Sequence, residues 1–210
     1  SGKTNAVGMY TKKGTVTNTG TIEVGDSTQL GMVGVSSDAN LVNTGIIDLK
    51  GTGAAGIVVQ NGATITDSGA SNLTFSSTKS FGIAADNAKV VLNGGTVSIA
   101  NSGENIYVYA KNNSNVTISN ATTINGAVVD PIKKSVGIYL DGTNVLTNNS
   151  TLTATNGAIG VYANGANSLT NGIYTSTGDS TVGIYFTNGG TLANTVVNSG
   201  SSSGNSVGVY

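Results

Sequence analysis

The stretch Ser135-Val136-Gly137-Ile138-Tyr139, SVGIY, returns as TVGIY at 181–185 and as SVGVY at 206–210. Aligned on its last four residues, the chain holds nine copies: VGMY 7–10, LGMV 30–33, AGIV 55–58, FGIA 81–84, IYVY 106–109, VGIY 136–139, IGVY 159–162, VGIY 182–185 and VGVY 207–210. Successive copies start 23, 25, 26, 25, 30, 23, 23 and 25 residues apart. The second position is glycine in every copy except the fifth, where Tyr107 stands. Positions one and three are apolar throughout. Strand residues alternate between faces, so positions one and three are expected to face a core, with the glycine and the fourth residue outward.

A second column lies farther along each unit: Val16, Leu41, Ile65, Val91, Ile118, Leu146, Leu169 and Leu192. Two residues on comes Asn or Asp: Asn18, Asn43, Asp67, Asn93, Asn120, Asn148, Asn171 and Asn194. A third apolar point follows at Ile22, Ile47, Leu73, Val97, Ile124 and Leu152. Turn signals part these strands, including Asn-Gly pairs at 61–62, 93–94, 125–126, 156–157, 164–165, 171–172 and 188–189, which supply the positive φ that tight corners need. Three short strands in a fixed period make one rung of a solenoid. The expected fold is all-β, a right-handed parallel β-helix of about eight rungs of 23–30 residues, on the order of 40 Å long at the usual strand spacing. The Asn/Asp column is expected to stack as a side-chain ladder. A β-sandwich would show hairpin signals instead of fixed columns. The whole chain, 1–210, reads as one β-helical segment with a single inserted corner loop at 125–135, which holds Pro131, Lys133 and Lys134.

Composition narrows the function. The formal net charge is −1, and only 9% of the 210 residues are charged. Histidine, cysteine, tryptophan and arginine are absent; all nine basic residues are lysines. Disulfides and thiolate metal sites are thereby excluded, as is the commonest general base. No basic patch is available to hold a nucleic acid. No apolar run approaches the length of a membrane helix, and no signal peptide is visible, so the chain reads as a piece of something longer that does not itself insert into a membrane.

Six of the eight tyrosines fall in the fourth column: Tyr10, Tyr109, Tyr139, Tyr162, Tyr185 and Tyr210. The last five units carry one each, so neighbouring rungs would set the rings one above another. Phenol rings suit sugars or a protein partner; they also simply stack well on an exposed parallel sheet. The candidate ligand-binding residues are Tyr109, Tyr139, Tyr162, Tyr185 and Tyr210, with Lys133 and Lys134 of the inserted loop. Catalysis is not expected. Glycoside hydrolysis needs two carboxylates facing each other, and the ten acidic residues are spread about one per rung in turn contexts. No calcium-binding repeat is present, and no metal or cofactor is implied. Thr-x-Thr pairs such as Thr151/Thr153 form no unbroken column of the kind a flat ice-binding face would need.

Rungs such as VGIYLDGTNVLTNNSTLTATNGAIGVY (136–162) and TNTGTI (17–22) resemble the passenger repeats of type V autotransporters, and are most similar to the very large fusobacterial autotransporter adhesins. The resemblance implies a rod at the bacterial cell surface or secreted, held by an outer-membrane β-barrel in the parent protein and attaching to a host-cell or bacterial surface glycan or protein. The competing class is an inert stalk with no ligand of its own. A third is a carbohydrate-active enzyme, which would need several acids converging in one cleft.

Overall fold

The computed structural model describes residues 5–25, 28–99, 104–126, 135–200 and 205–210. The chain winds as a parallel β-solenoid with three strands per turn. Wall one is a nine-stranded sheet built from Val7–Thr11, Leu30–Gly34, Ala55–Gln60, Phe81–Asp86, Ile106–Lys111, Val136–Asp141, Ile159–Asn164, Thr181–Thr187 and Ser206–Val209. These strands hold all nine repeat phrases except the closing Tyr210. Wall two has eight strands, from Gly14–Asn18 to Thr191–Ala193. Wall three is split into a three-stranded sheet, Thr21–Val24, Ile46–Leu49 and Leu73–Phe75, and a five-stranded one that runs from Gly95–Ser98 to Val196–Gly200. A short 3-10 turn, Ala70–Asn72, sits at the split. The corners use the expected chemistry: Asn61, Asn156, Asn171 and Asn188 all have positive φ, as do the glycines that follow them.

One apolar core runs through the solenoid. Met32, Ile57, Ile83, Val108, Ile138, Val161 and Ile184 line it from wall one, fully buried. Their strand pairing is in register, as in Ile83↔Val108 and Ile138↔Val161. The third position of the phrase is therefore a continuous seam, as expected. Burying each such side chain contributes about 1.5–3 kcal/mol.

The other expected orientations are corrected. Position one and the glycine exchange roles, because alternation breaks between positions two and three. A Cβ built on Gly56 would meet Ile47 and Leu49, one on Gly82 would meet Phe75 and Leu73, and one on Gly137 would meet Ile124, all core side chains of wall three. The glycine thus faces inward, and two successive residues turn toward the core as the chain rounds the corner. Position one points out with position four: Val136, Ile159 and Val182 form a separate cluster with Tyr139, Tyr162 and Tyr185. The reason for glycine is close approach. A Cβ on Gly8, Gly56, Gly82, Gly137, Gly160 or Gly183 would lie 2.6–2.8 Å from the carbonyl oxygen of the same position in the next turn.

The Asn/Asp ladder is also shorter than the sequence pattern implies. Asn18 Nδ2 donates to Asn43 Oδ1 at 2.9 Å, and Asn43 Nδ2 donates to Asp67 Oδ1 at 3.1 Å. The next positions in register are Leu92 and Ile118, both buried, before Asn148 resumes the polar column. The second column thus runs through Ile65, Val90, Val116 and Leu146; Val91 lies out of line with it, and Ile118, though buried, stands in the ladder column. Asn93 and Asn120 belong to the turns. In wall three Ile124 pairs with Ala154, and Leu152 with Thr122. The ladder closes at Asp67 because Tyr107, the one side chain in the glycine column, enters the core. Its ring is fully buried, and its hydroxyl donates to Asp67 Oδ2 at 3.0 Å. A carboxylate only accepts, so donors on both oxygens end the run.

A second buried polar column, at the corner between walls one and two, was not visible in the pattern. Ser114 N–H donates to Asn144 Oδ1 at 3.0 Å, and Asn144 N–H and Nδ2 both donate to Asn167 Oδ1 at 3.0 Å.

Two outcomes follow from these contacts. Gly160→Ala places a methyl group against Gly183 O and is expected to lower unfolding free energy in urea by about 1–3 kcal/mol. Gly20→Ala, with open space around its Cβ, is expected to stay within about 0.5 kcal/mol of the parent. Burial pushes the Asp67 carboxyl up to about 6, against hydrogen bonds from Asn43, Tyr107 and the Gly69 backbone that lower it. A raised folded-state value means the Asp67 contribution is fully present below about pH 4 and is lost as pH rises through about 6. Asp67→Asn is expected to remove that pH dependence and to be more stable at pH 7, by on the order of 1–3 kcal/mol, in denaturation curves of both proteins from pH 4 to 7.

Candidate functional site

The outer face of wall one carries the candidate site. Positions one and four project from it in every turn. Register places Tyr109, Tyr139, Tyr162 and Tyr185 directly opposite one another in successive strands. Their rings form a continuous stack. Tyr139–Tyr162, Tyr162–Tyr185 and Tyr185–Tyr210 are stacked, with centroids 4.7, 5.1 and 4.8 Å apart and interplanar angles of 22°, 8° and 7°. Tyr109–Tyr139 is tilted at 5.5 Å and 45°. Beyond it Phe81, a position-one residue, closes the row edge-to-face on Tyr109 at 5.8 Å. Ring centroids in this range are the favoured geometry for aromatic pairs. Beneath the stack runs the apolar stripe Val136, Ile159 and Val182, with Ile106 at its end.

A polar column lies beside the rings at position six of the wall-one strands: Gln60, Asp86, Lys111, Asp141 and Asn164, in register. Tyr109 OH donates to Asp141 Oδ2 at 2.9 Å, and Asn164 Nδ2 donates to Asp141 Oδ1 at 3.0 Å. Lys111 Nζ lies 3.2 Å from Asp86 Oδ2, and Asn112 Nδ2 donates to Asp86 Oδ1 at 2.7 Å. Burial, and then the bond to Asp141, push the Tyr109 phenol up to about 12. The Asn112 amide, with Lys111, holds the Asp86 carboxyl below the usual carboxylate range. Burial and the neighbouring Tyr162 and Asp141 raise the Tyr139 phenol.

The five tyrosines singled out from sequence are thus brought together in one row. Tyr10 stands apart, because its column continues as Val33, Val58 and Ala84 before reaching Tyr109. Lys133 and Lys134 lie outside the described residues. Of the residues on either side of them, Asn125 ends a wall-three strand, and Ser135, buried, donates its hydroxyl to Ile99 O just before Val136. Sequence reasoning missed Phe81, Asp86, Lys111 and Asp141. Phe81, as a position-one residue, is expected in the core and instead stands on the outer face. The others could have been found as the sixth position of each repeat, which is polar from Gln60 to Thr187. Among the described residues no group of three or more acidic side chains is placed to hold a metal ion.

Where the tyrosine column drops to Ala84, the face is indented. A shallow depression of about 270 Å³ opens there, lined by Val58, Gln60, Phe81, Ala84, Asp86, Tyr109 and Lys111.

Fold and face together define a parallel β-helix with three strands per turn. Residues 2–96 match the family described as the BigA third pectate lyase-like domain. That stretch spans the first four strands of wall one and ends before the tyrosine stack. The similarity supports a bacterial surface β-helical passenger; it does not single out the fusobacterial adhesins. Comparison with curated proteins and with solved structures gave no match.

Tyr162 makes two of the stacked contacts, each worth about 0.5–1.5 kcal/mol beyond area burial. Tyr162→Ser is therefore expected to lose roughly 1–3 kcal/mol in urea unfolding, while Tyr10→Ser, outside the stack, stays within about 0.5 kcal/mol of the parent.

Proposed function

We propose that this chain is a segment of a bacterial surface adhesin, a rigid β-helical rod that presents the aromatic face of wall one to a glycan or protein on host cells or other bacteria. The observation that carries this reading is the unbroken row from Phe81 to Tyr210 on an outer sheet face. Apolar side chains gathered in one exposed stripe are a surface feature that interaction sites share. Tyrosine adds rigid contact area with a polar tip, at low entropic cost on binding. The parent protein would carry an outer-membrane β-barrel. The segment itself is non-catalytic in this reading, needs no cofactor and binds no nucleic acid. Its low charge gives attachment a weak dependence on salt.

A second reading, an inert stalk, draws on the same row. The rings satisfy one another, and the Tyr109 hydroxyl is already bonded to Asp141, so the stack serves stability without any ligand. The two readings part on one experiment. Fluorescently labelled protein is applied to intact epithelial and bacterial cells and to a glycan array, beside a Tyr139→Ser/Tyr162→Ser/Tyr185→Ser variant whose β-structure is checked by circular dichroism. The adhesin reading expects attachment by the parent and its loss in the folded variant. No attachment by the parent at high concentration gives the segment to the stalk.

A further inference from the structure

The stack of tyrosine rings ends at Tyr109, and the fourth-position column continues without rings as Ala84, Val58 and Val33. Ala84 stands in register between Val58 and Tyr109, where continuation of the column would need another ring. Phe81, three residues earlier in the same strand, packs edge-to-face with Tyr109 and leaves the space above Ala84 open. We propose that this notch is a subsite for a single neutral hexose unit of a surface glycan. It rests on the adhesin reading and names the ligand class and the turn at which contact is made.

Three features fit that occupant. The space, about 270 Å³ and open on one side, suits one six-membered ring with its substituents; it is too short for a strand or helix of a protein. Its walls are two aromatic side chains at 65° to each other. The C–H groups of a pyranose face carry slight positive charge and pack favourably on the negative face of such rings. Its rim is polar on one side only, formed by Gln60, Asp86 and Lys111. Asp86 holds Asn112 on one oxygen and Lys111 on the other, and each carboxylate oxygen keeps a further lone pair for a hydroxyl donor. The ion pair fixes both side chains before a ligand arrives, which reduces the entropy lost on binding.

Charge selects among sugars. Two carboxylates, Asp86 and Asp141, lie in the same column as the lone ammonium of Lys111. The local balance is negative. A uronic or sialic acid would bring a third carboxylate into a partly desolvated position, which is unfavourable. A neutral hexose meets no such penalty.

The test uses saturation-transfer difference NMR on the whole chain with methyl β-galactopyranoside, methyl β-glucopyranoside and methyl α-mannopyranoside, and with glucuronic acid as the anionic comparison. At least one neutral glycoside is expected to receive saturation, strongest on one ring face, and glucuronic acid little. Ala84→Tyr extends the stack by one ring, fills the notch against Tyr109, and is expected to abolish the signal while the protein stays folded. Phe81→Ala removes one wall without adding bulk and is expected to weaken the signal; it decides the matter if Ala84→Tyr fails to fold. Tyr10→Ser, outside the stack and turns away, is expected to leave it unchanged. Absence of transfer to all three neutral glycosides, or an undiminished signal in the two notch variants, overturns the proposal. Cell attachment measured on the same proteins separates the two readings. Attachment without any glycoside signal sinks the subsite alone, and a notch-dependent glycoside signal without attachment sinks the adhesin reading alone.

Discussion

In wall one, wherever the second position of the phrase is glycine, the carbonyl oxygen of the next turn lies so close to it that a Cβ would clash. Parallel strands stacked in register bring identical positions to one strand spacing, and at this corner the chain turns two successive residues inward. The backbones then meet with no room for a Cβ. Everything on the outer face depends on this contact. With position two consumed by the corner, positions one and four fall on the same side, and the valine–isoleucine stripe comes to lie under the tyrosines. Without the break in alternation the tyrosines would keep their column but lose their apolar bed.

Tyr107 shows what happens where the constraint relaxes. Its ring takes core volume, and its hydroxyl ends the Asn18–Asn43–Asp67 run. A buried ladder of amides can be extended only while each group finds both a donor and an acceptor. An aspartate stops it, and the turns beyond revert to leucine and isoleucine. The solenoid therefore changes the character of its core midway, close to where wall three divides and near the end of the stretch that matches the pectate lyase-like family. The N-terminal turns rely on a polar seam. The C-terminal turns combine a different polar corner, Asn144 with Asn167, and an aromatic buttress on the outside.

That buttress has two physical consequences. Stacked rings stiffen wall one along the axis, and the same rings form a strip of rigid apolar surface with polar tips. The strip is most regular toward Tyr210 and becomes tilted toward Phe81, where Tyr109 is drawn aside by its bond to Asp141. In the regular part each ring is covered by its neighbours, whereas at Ala84 the end of the stack leaves aromatic surface open beside the Asp86–Lys111 ion pair.

By itself the sequence determined the architecture: nine spaced phrases could close only as stacked turns, and the seam from Met32 to Ile184 and the tyrosine column were both readable because each repeats at one fixed offset. Facing was not readable at the glycine, since strict alternation is a property of straight strands and the bend there depends on the next turn. Register failed at Val90-Val91-Leu92, where an apolar run hides which residue points inward and a slip of one residue reverses the face, and again at Ile118, where an apolar residue takes a ladder position. The rest was decided by tertiary structure alone. Tyr107 and Asp67 lie forty residues apart and meet across the core. Phe81, Ala84, Asp86 and Lys111 become one site only because winding sets two turns side by side, and a notch is the absence of a side chain, which no motif records.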